Sequence, residues 1–190
     1  MRFDYSKLSQ VLEKRKRRVR PLDGLLPSGV TIPLFDRDDI THVMVTLRTQ
    51  KVKHHKGQIS FPGGAVEDDD GSIEATAIRE TVEEVGIPPS HMHILGKTDD
   101  ITTISGFVVT PVVVRLDHPF PTSISEDEID RLIEIPLAAL VAPDTPRTEI
   151  WDWYGKPVEM YFYDYGEYTV WGATGRMLYQ FLDVAKDCII

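Results

Sequence analysis

The sequence predicts an α/β fold in which a mixed β-sheet lies between helices. Short segments rich in Val, Ile and Thr, typical of strands, alternate with segments of helical period. Residues 108–114 are almost entirely apolar, which is typical of a strand buried on both faces. A chain of 190 residues, 42% hydrophobic and 27% charged, fits one globular domain with a sizeable core.

Each predicted element rests on its own pattern. Residues 4–17 are predicted to form a helix because apolar side chains recur along one side. Strands are predicted at residues 30–35, 42–48, 92–97, 107–116, 130–135, 157–163 and 168–170, with a short strand within residues 57–64. Further helices are predicted at residues 137–140 and 172–185.

Basic residues are concentrated at the N-terminus. The formal net charge is −9, yet residues 1–20 hold eight basic and two acidic residues. We therefore divide the chain into an N-terminal basic helix and loop, residues 1–29, packed on a main domain of residues 30–190. The basic segment is either a solvated face or a surface for anions. The acidic remainder argues against broad nucleic-acid binding.

The composition also limits compartment and partners. Cys188 is the single cysteine, which excludes an intrachain disulfide and fits a reducing, cytoplasmic environment. We expect no membrane span and no signal peptide, because no apolar run has the required length or flanks. A homodimer is compatible with the sequence, which does not decide the oligomeric state.

A helix with three acids on one side is the most informative prediction. At about 100° per residue, Glu80, Glu83 and Glu84 fall within an arc of about 100°. Ser72 is a suitable N-cap, and Gly86 suits the position just after the helix. Apolar residues occupy the opposite side, so we expect that side to face the core and the acids to face solvent. These apolar residues are Ala75, Ile78, Val82 and Val85.

The three acids indicate a metal site. Carboxylates packed this closely repel one another unless a cation lies among them. Mg²⁺ and Mn²⁺ prefer carboxylate oxygens and suit phosphoanhydride chemistry, in which they neutralise phosphates and activate water. We therefore predict that Glu80 and Glu84 bind the ion, with Glu83 assisting. The alternative is an ordinary solvated acidic helix.

The order of residues in this segment resembles the Nudix box, G-x5-E-x7-R-E-U-x-E-E-x-G-U, in which U is aliphatic. Residues 79–87 match its second half, with Thr81 at the first U position. Asp70 stands where the pattern has its first Glu, and eight residues separate it from Arg79 where the pattern has seven. The resemblance implies the Nudix α/β/α sandwich, and it implies that Arg79 orients a metal-binding Glu.

A motif upstream of the box resembles the signature of coenzyme A pyrophosphatases, L-L-T-x-R-[SA]-x3-R-x3-G-x3-F-P-G-G. It covers residues 44–64, and its departures from the signature conserve size or charge. These departures are Met44, Val45, Thr49 and Lys53. The substrate-binding residues expected from this resemblance are Arg48, Lys53, Phe61, Gly63 and Gly64.

The two resemblances imply a metal-dependent pyrophosphohydrolase. The implied substrate is coenzyme A or a derivative, cleaved to phosphopantetheine and adenosine 3′,5′-bisphosphate with Mg²⁺ or Mn²⁺ as cofactor. The expected general base is Glu83 or one of the loop acids Glu126 and Glu128, among which the sequence does not choose. Two alternatives stay open, an ADP-ribose or nucleotide-sugar pyrophosphatase and a catalytically silent Nudix-fold binding module. The retained box acids argue against the silent module.

Overall fold

The computed structural model describes residues 1–51, 57–153 and 155–190. Within them the chain forms a central sheet of eight strands and a second sheet of three. The central strands are β1 (Leu26–Arg37), β2 (Ile40–Arg48), β3 (Ile59–Ser60), β4 (Gly63–Ala65), β5 (Met92–Lys97), β6 (Ile101–Thr102), β7 (Phe107–Leu116) and β8 (Ile129–Pro136). The second sheet contains β9 (Arg147–Trp153), β10 (Lys156–Tyr165) and β11 (Tyr168–Val170). The α-helices are α1 (Tyr5–Lys14), α2 (Ile73–Val85), α3 (Leu137–Leu140) and α4 (Gly172–Ala185).

The central sheet is mixed, as predicted. Its strand order is β3-β2-β1-β7-β5, with β4 paired to β1, β6 to β7 and β8 to β2. Strands β1 and β7 are parallel, from the pair Leu26–Phe107 to the pair Leu34–Arg115. The other pairings of the described central strands are antiparallel.

Side chains of the sheet alternate between two cores. In β2, Val43 and Val45 join a core formed with α1 and α4, whereas Met44 belongs to a smaller core under α2. Phe181 of α4 lies fully buried in the larger core. The sheet therefore lies between α2 on one face and α1 with α4 on the other, which confirms the predicted α/β/α sandwich.

The predicted bounds of β5, β7, α3 and α4 agree with the structure. Strand β9 was not predicted, because most of its residues are exposed and no apolar alternation marks a buried face. Its pairing with β10, from Trp153 opposite Lys156 to Arg147 opposite Phe162, defines it instead.

Helix α1 ends at Lys14, before the predicted residue 17, because acidic side chains hold the following segment away from it. The Arg18 N–H donates to Asp99 Oδ1 (3.0 Å) and the Arg20 N–H donates to Asp100 Oδ2 (2.9 Å). The side chain of Arg17 also pairs with Asp100, which is 4% exposed. The basic segment is therefore fixed to the body of the protein.

The N-terminal segment contributes directly to the sandwich. Helix α1 packs against β5 and α4, and β1 begins at Leu26, so the end of this segment lies in the central sheet. The proposed boundary at residue 30 stays a prediction. In the part of the chain that the structure describes, no helix is both long and apolar enough to cross a membrane.

We predict that Asp100→Ala destabilises the protein by roughly 2–3 kcal/mol. The substitution removes the acceptor for the Arg20 N–H and for the buried Thr110 hydroxyl, which donates to Asp100 over 2.7 Å. Urea unfolding measures the effect, with Asp183→Ala as the control because Asp183 is 63% exposed. Equal losses in the two variants would contradict the anchoring role of Asp100.

Candidate active site

Helix α2 begins and ends where the sequence predicted. Ser72 Oγ accepts a hydrogen bond from the Ala75 N–H (3.1 Å) at its N-terminus. At its C-terminus, Gly86 adopts a left-handed conformation (φ 75°), and its N–H donates to the Val82 carbonyl (2.9 Å). These two caps fix the register of the helix and therefore the position of its acids.

The face of α2 that packs on the sheet differs from the predicted one. Ala75 is exposed and Ile78 and Val82 are half-buried, whereas Glu84 is only 3% exposed. The prediction that the acids face solvent is therefore wrong for Glu84. The buried residues of the helix are Thr76, Ala77, Thr81, Glu84 and Val85.

Small residues make this packing possible. A Cβ atom on Gly29 of β1 would lie 2.6 Å from the Ile73 carbonyl oxygen, so the helix approaches the strand this closely only over glycine. The hydroxyls of Thr31 and Thr81 hydrogen-bond across the interface (2.9 Å), which satisfies both buried polar groups. Around Gly29 and Thr31, compact groups therefore form the contact between helix and strand.

Glu84 is a buried carboxylate whose one charged partner in the described structure is Arg48. Arg48 Nη1 donates to Glu84 Oε1 over 3.3 Å, but the buried Oε2 atom has no hydrogen-bond partner. Burial raises the pKa of Glu84 to about 7, and the charge of Arg48 and a hydrogen bond from the Gly63 backbone offset this only in part. Glu84 is thus poised to accept a further cationic partner.

Glu80 lies beside the glycine pair that ends the upstream motif. A Cβ atom on Gly64 would lie 2.3 Å from Glu80 Oε1, so the absence of a side chain there leaves room for the carboxylate. Burial raises the pKa of Glu80, which the hydrogen bond from Arg79 opposes. Two acids of α2 that lie one helical turn apart, Glu80 and Glu84, are therefore partly dehydrated.

Arg79 organises the exposed side of the acid cluster. Its Nη1 donates to Glu80 Oε1 (2.9 Å) and to Glu83 Oε2 (3.1 Å), while Nη2 donates to the Ala65 carbonyl (3.0 Å). Its Nε and Nη2 atoms also form a bidentate pair with Asp70 (both 3.0 Å). Arg79 thus contacts both Glu80 and Glu83, and its orienting role stays a prediction.

Asp70 is a residue of the site that the predicted set omitted. The hydrogen bonds from Arg79 hold the pKa of Asp70 well below its usual range. Asp70 also closes its own loop, since the Glu67 N–H donates to Oδ2 and the Asp70 N–H donates to the Glu67 carbonyl (both 3.0 Å). Its position at the first acid of the box pattern was the signal that could have identified it.

The loop after β7 brings one of the two predicted loop acids to the cluster. The N–H of Ser125 donates to the Glu84 carbonyl (3.0 Å), which ties this loop to α2. Glu128 Oε2 lies 3.9 Å from Arg48 Nη2, and the charge of Glu128 raises the pKa of both Glu84 and Glu80. Glu126 is exposed and has no polar partner among the described residues.

The predicted substrate-binding residues occupy different environments. Gly63 and Gly64 lie in β4 beside the acids. Phe61 is 3% exposed and packs in the larger core, so it has almost no surface to offer a substrate. The substrate-binding role expected for Phe61 stays a prediction. Lys53 lies outside the described residues.

Comparison with known families agrees with this geometry. The NUDIX domain model matches residues 25–157. The chain belongs to the Nudix hydrolase family. The uncharacterized Nudix hydrolase NudL of Escherichia coli O7:K1 is 37% identical over 153 residues, which cover 80% of this chain and 78% of that protein. NudL of Shigella boydii serotype 18 has the same identity and coverage. The protein is therefore an enzyme that acts on pyrophosphate bonds. The alternative hypothesis of a catalytically silent Nudix-fold binding module is rejected.

Solved structures of Nudix proteins share the fold of this Nudix hydrolase. A MutT/nudix family protein from Enterococcus faecalis gives a TM-score of 0.53 at 15% identity and covers 98% of this chain and 76% of that chain. The Nudix hydrolase RenU from M. smegmatis gives 0.51 at 18% identity, with coverages of 63% and 74%. At these identities the likeness supports the α/β/α architecture alone.

The acid cluster fits the divalent ion that Nudix hydrolases generally need. Among the described residues, no three Asp, Glu, His or Cys side chains already form a complete metal site. The donor set is nevertheless suitable, because carboxylate oxygens are what Mg²⁺ and Mn²⁺ prefer. The buried Oε2 of Glu84, which has no hydrogen-bond partner, is the feature that favours such binding.

We predict that Asp70→Asn lowers kcat/KM by roughly 10- to 100-fold, as for outer partners of metal ligands. Loss of its charge frees Arg79, which then orients Glu80 and Glu83 less well. The matched control is Asp69→Asn, because Asp69 is the exposed neighbour in the same loop. Steady-state kinetics on the two variants checks this, and equal activities would argue against an orienting role for Asp70.

We predict that Glu84→Gln stabilises the metal-free protein at pH 8. The pKa of Glu84 rises from 4.5 to about 7 on folding, so the folded protein holds a proton between these values that the unfolded chain has lost. Wild-type stability therefore falls as the pH rises from about 4.5 through about 7. The shift corresponds to at most roughly 3 kcal/mol.

Urea unfolding in EDTA at pH 5 and pH 8 tests this pH dependence. We expect the advantage of Glu84→Gln to be small at pH 5 and full at pH 8. Glu126→Gln serves as the control because Glu126 is exposed. An advantage that is the same at both pH values would mean that ionisation of Glu84 is not the cause.

Proposed function

We propose that this Nudix hydrolase cleaves the diphosphate of coenzyme A or its derivatives to phosphopantetheine and adenosine 3′,5′-bisphosphate. The observation that carries the proposal is that the upstream motif and the box build one site. Arg48 donates a hydrogen bond to Glu84, and Gly64 lies against the Glu80 carboxylate. The motif that resembles the coenzyme A signature thus contributes directly to the candidate catalytic centre.

The proposed cofactor is Mg²⁺ or Mn²⁺, held by Glu80 and Glu84 with Glu83 assisting. When bound, the ion would neutralise the diphosphate and favour attack of water at phosphorus. Arg79 keeps Glu80 and Glu83 in position through its hydrogen bonds. Arg48, Lys53 and the Gly63-Gly64 pair are the proposed binding groups for the substrate phosphates.

The proposed general base is Glu83 or Glu128. Both side chains have solvent access, with 57% and 51% of their area exposed, and both lie near the partly buried acids of α2. Glu126 belongs to the same loop as Glu128 but has no polar contact that directs it to the cluster in the described structure. Single Gln substitutions at the three positions separate these candidates, because loss of the base lowers kcat while metal affinity changes little.

We predict Mg²⁺- or Mn²⁺-dependent hydrolysis with a higher kcat/KM for coenzyme A than for ADP-ribose or nucleotide sugars. Glu80→Gln and Glu84→Gln should each lower turnover by roughly 100-fold or more, since each removes a proposed metal ligand. Reaction in ¹⁸O-labelled water should place the label on a phosphate product and leave the thiol intact. A preference for a sugar nucleotide would move the enzyme to the alternative substrate class.

Two outcomes would overturn the mechanism itself. Full activity in EDTA would exclude a metal-dependent reaction. Label found only on a carboxylate released from acyl-coenzyme A would indicate thioester hydrolysis.

A cytoplasmic location and a homodimer stay predictions. Cell fractionation would test the location, and sedimentation velocity would test the oligomeric state.

A further inference from the structure

Two arginines approach the acid cluster, and they are held very differently. Arg79 makes five hydrogen bonds of 2.9–3.1 Å, two of them to Asp70 in a bidentate pair. Among the described residues, Arg48 makes one long hydrogen bond to Glu84 (3.3 Å) and one ion pair with Glu128 at 3.9 Å, which is beyond hydrogen-bonding distance. Arg79 is therefore a fixed part of the site, whereas the Arg48 guanidinium is weakly bound.

The backbone of Arg48 is, by contrast, firmly anchored. Its N–H donates to the Gln58 carbonyl (3.0 Å), and its carbonyl accepts from the Gly57 N–H (3.1 Å). The pairing of β2 with β8 shifts register between Leu47 and Arg48, and such irregularities redirect a side chain at the end of a strand. Because only the backbone of Arg48 is firmly held, its side chain can move the guanidinium charge over a short distance.

Arg48 also neutralises Glu84 incompletely. It contacts only Oε1, and the buried Oε2 keeps no partner. An ionised carboxylate that is 4% exposed is costly without full compensation, so the positive charge of Arg48 beside it is stabilising. A divalent ion on Glu84 would satisfy the carboxylate better and would repel the neighbouring guanidinium.

We infer that Arg48 is an exchangeable counter-ion, which pairs with Glu84 in the metal-free enzyme and releases it when the divalent ion binds. The released guanidinium is then available to the substrate diphosphate, for which its planar donor set is suited. This inference rests on the proposed metal-dependent function. It gives Arg48 two opposing effects, since the same charge weakens metal binding and strengthens substrate binding.

Mn²⁺ titration by calorimetry at pH 8, without substrate, tests the inference. Arg48→Met removes the competing charge and should lower the Kd for Mn²⁺ by on the order of tenfold. Arg48→Gln is a second neutral variant that should behave in the same way, and Arg48→Lys, which keeps the charge, should stay near the wild type. Arg131→Met is the matched control, because Arg131 is 56% exposed and pairs with Asp130.

Kinetics with coenzyme A provides the second readout. At saturating Mn²⁺, the neutral Arg48 variants should show a raised KM, while Arg131→Met should not. Folded Arg48→Met and Arg48→Gln proteins that bind Mn²⁺ with unchanged or weaker affinity would overturn the inference. If these variants give that result while the wild type binds Mn²⁺ and hydrolyses coenzyme A, only the inference about Arg48 is wrong and the proposed function is still supported. A wild type that binds no Mn²⁺ would overturn both.

Discussion

The close contact between α2 and β1 determines the geometry of the whole site. Gly29 lets the helix backbone approach so near that a single added Cβ would lie 2.6 Å from a carbonyl oxygen. At this distance Thr81 and Glu84 are drawn into the interface, and the apolar residues of the helix turn partly to solvent. The helix thus presents Glu84 to its buried side and leaves Glu83 accessible to solvent.

The acids consequently differ in their chemistry although they share one helix. Glu84 is almost completely buried, and burial brings its pKa to about 7. Glu83 keeps most of its surface in solvent, and Glu80 is intermediate. Under the proposed function, a cluster graded in this way would separate the task of holding a cation from that of contacting water.

Cations from two different parts of the chain balance this negative charge. Arg79 comes from the helix itself and is tied to the preceding loop through Asp70, so the loop and the helix are fixed together. Arg48 comes from the end of β2 and connects Glu84 with Glu128 of a third segment. The site thus depends on the sheet to bring together residues that lie far apart in sequence.

The sequence by itself determined the elements and the chemical type of the site. The buried β7 and the caps of α2 have strong local signals, and the spacing of the acids is fixed by the helical period. The tertiary structure decided which face of α2 is buried, that Phe61 belongs to the core, and that Glu128 rather than Glu126 faces the acids. The helical period determines how side chains are arranged around the axis of α2. Which side of the helix faces the sheet depends on contacts with distant residues such as Gly29, and the sequence of the helix itself does not specify these contacts.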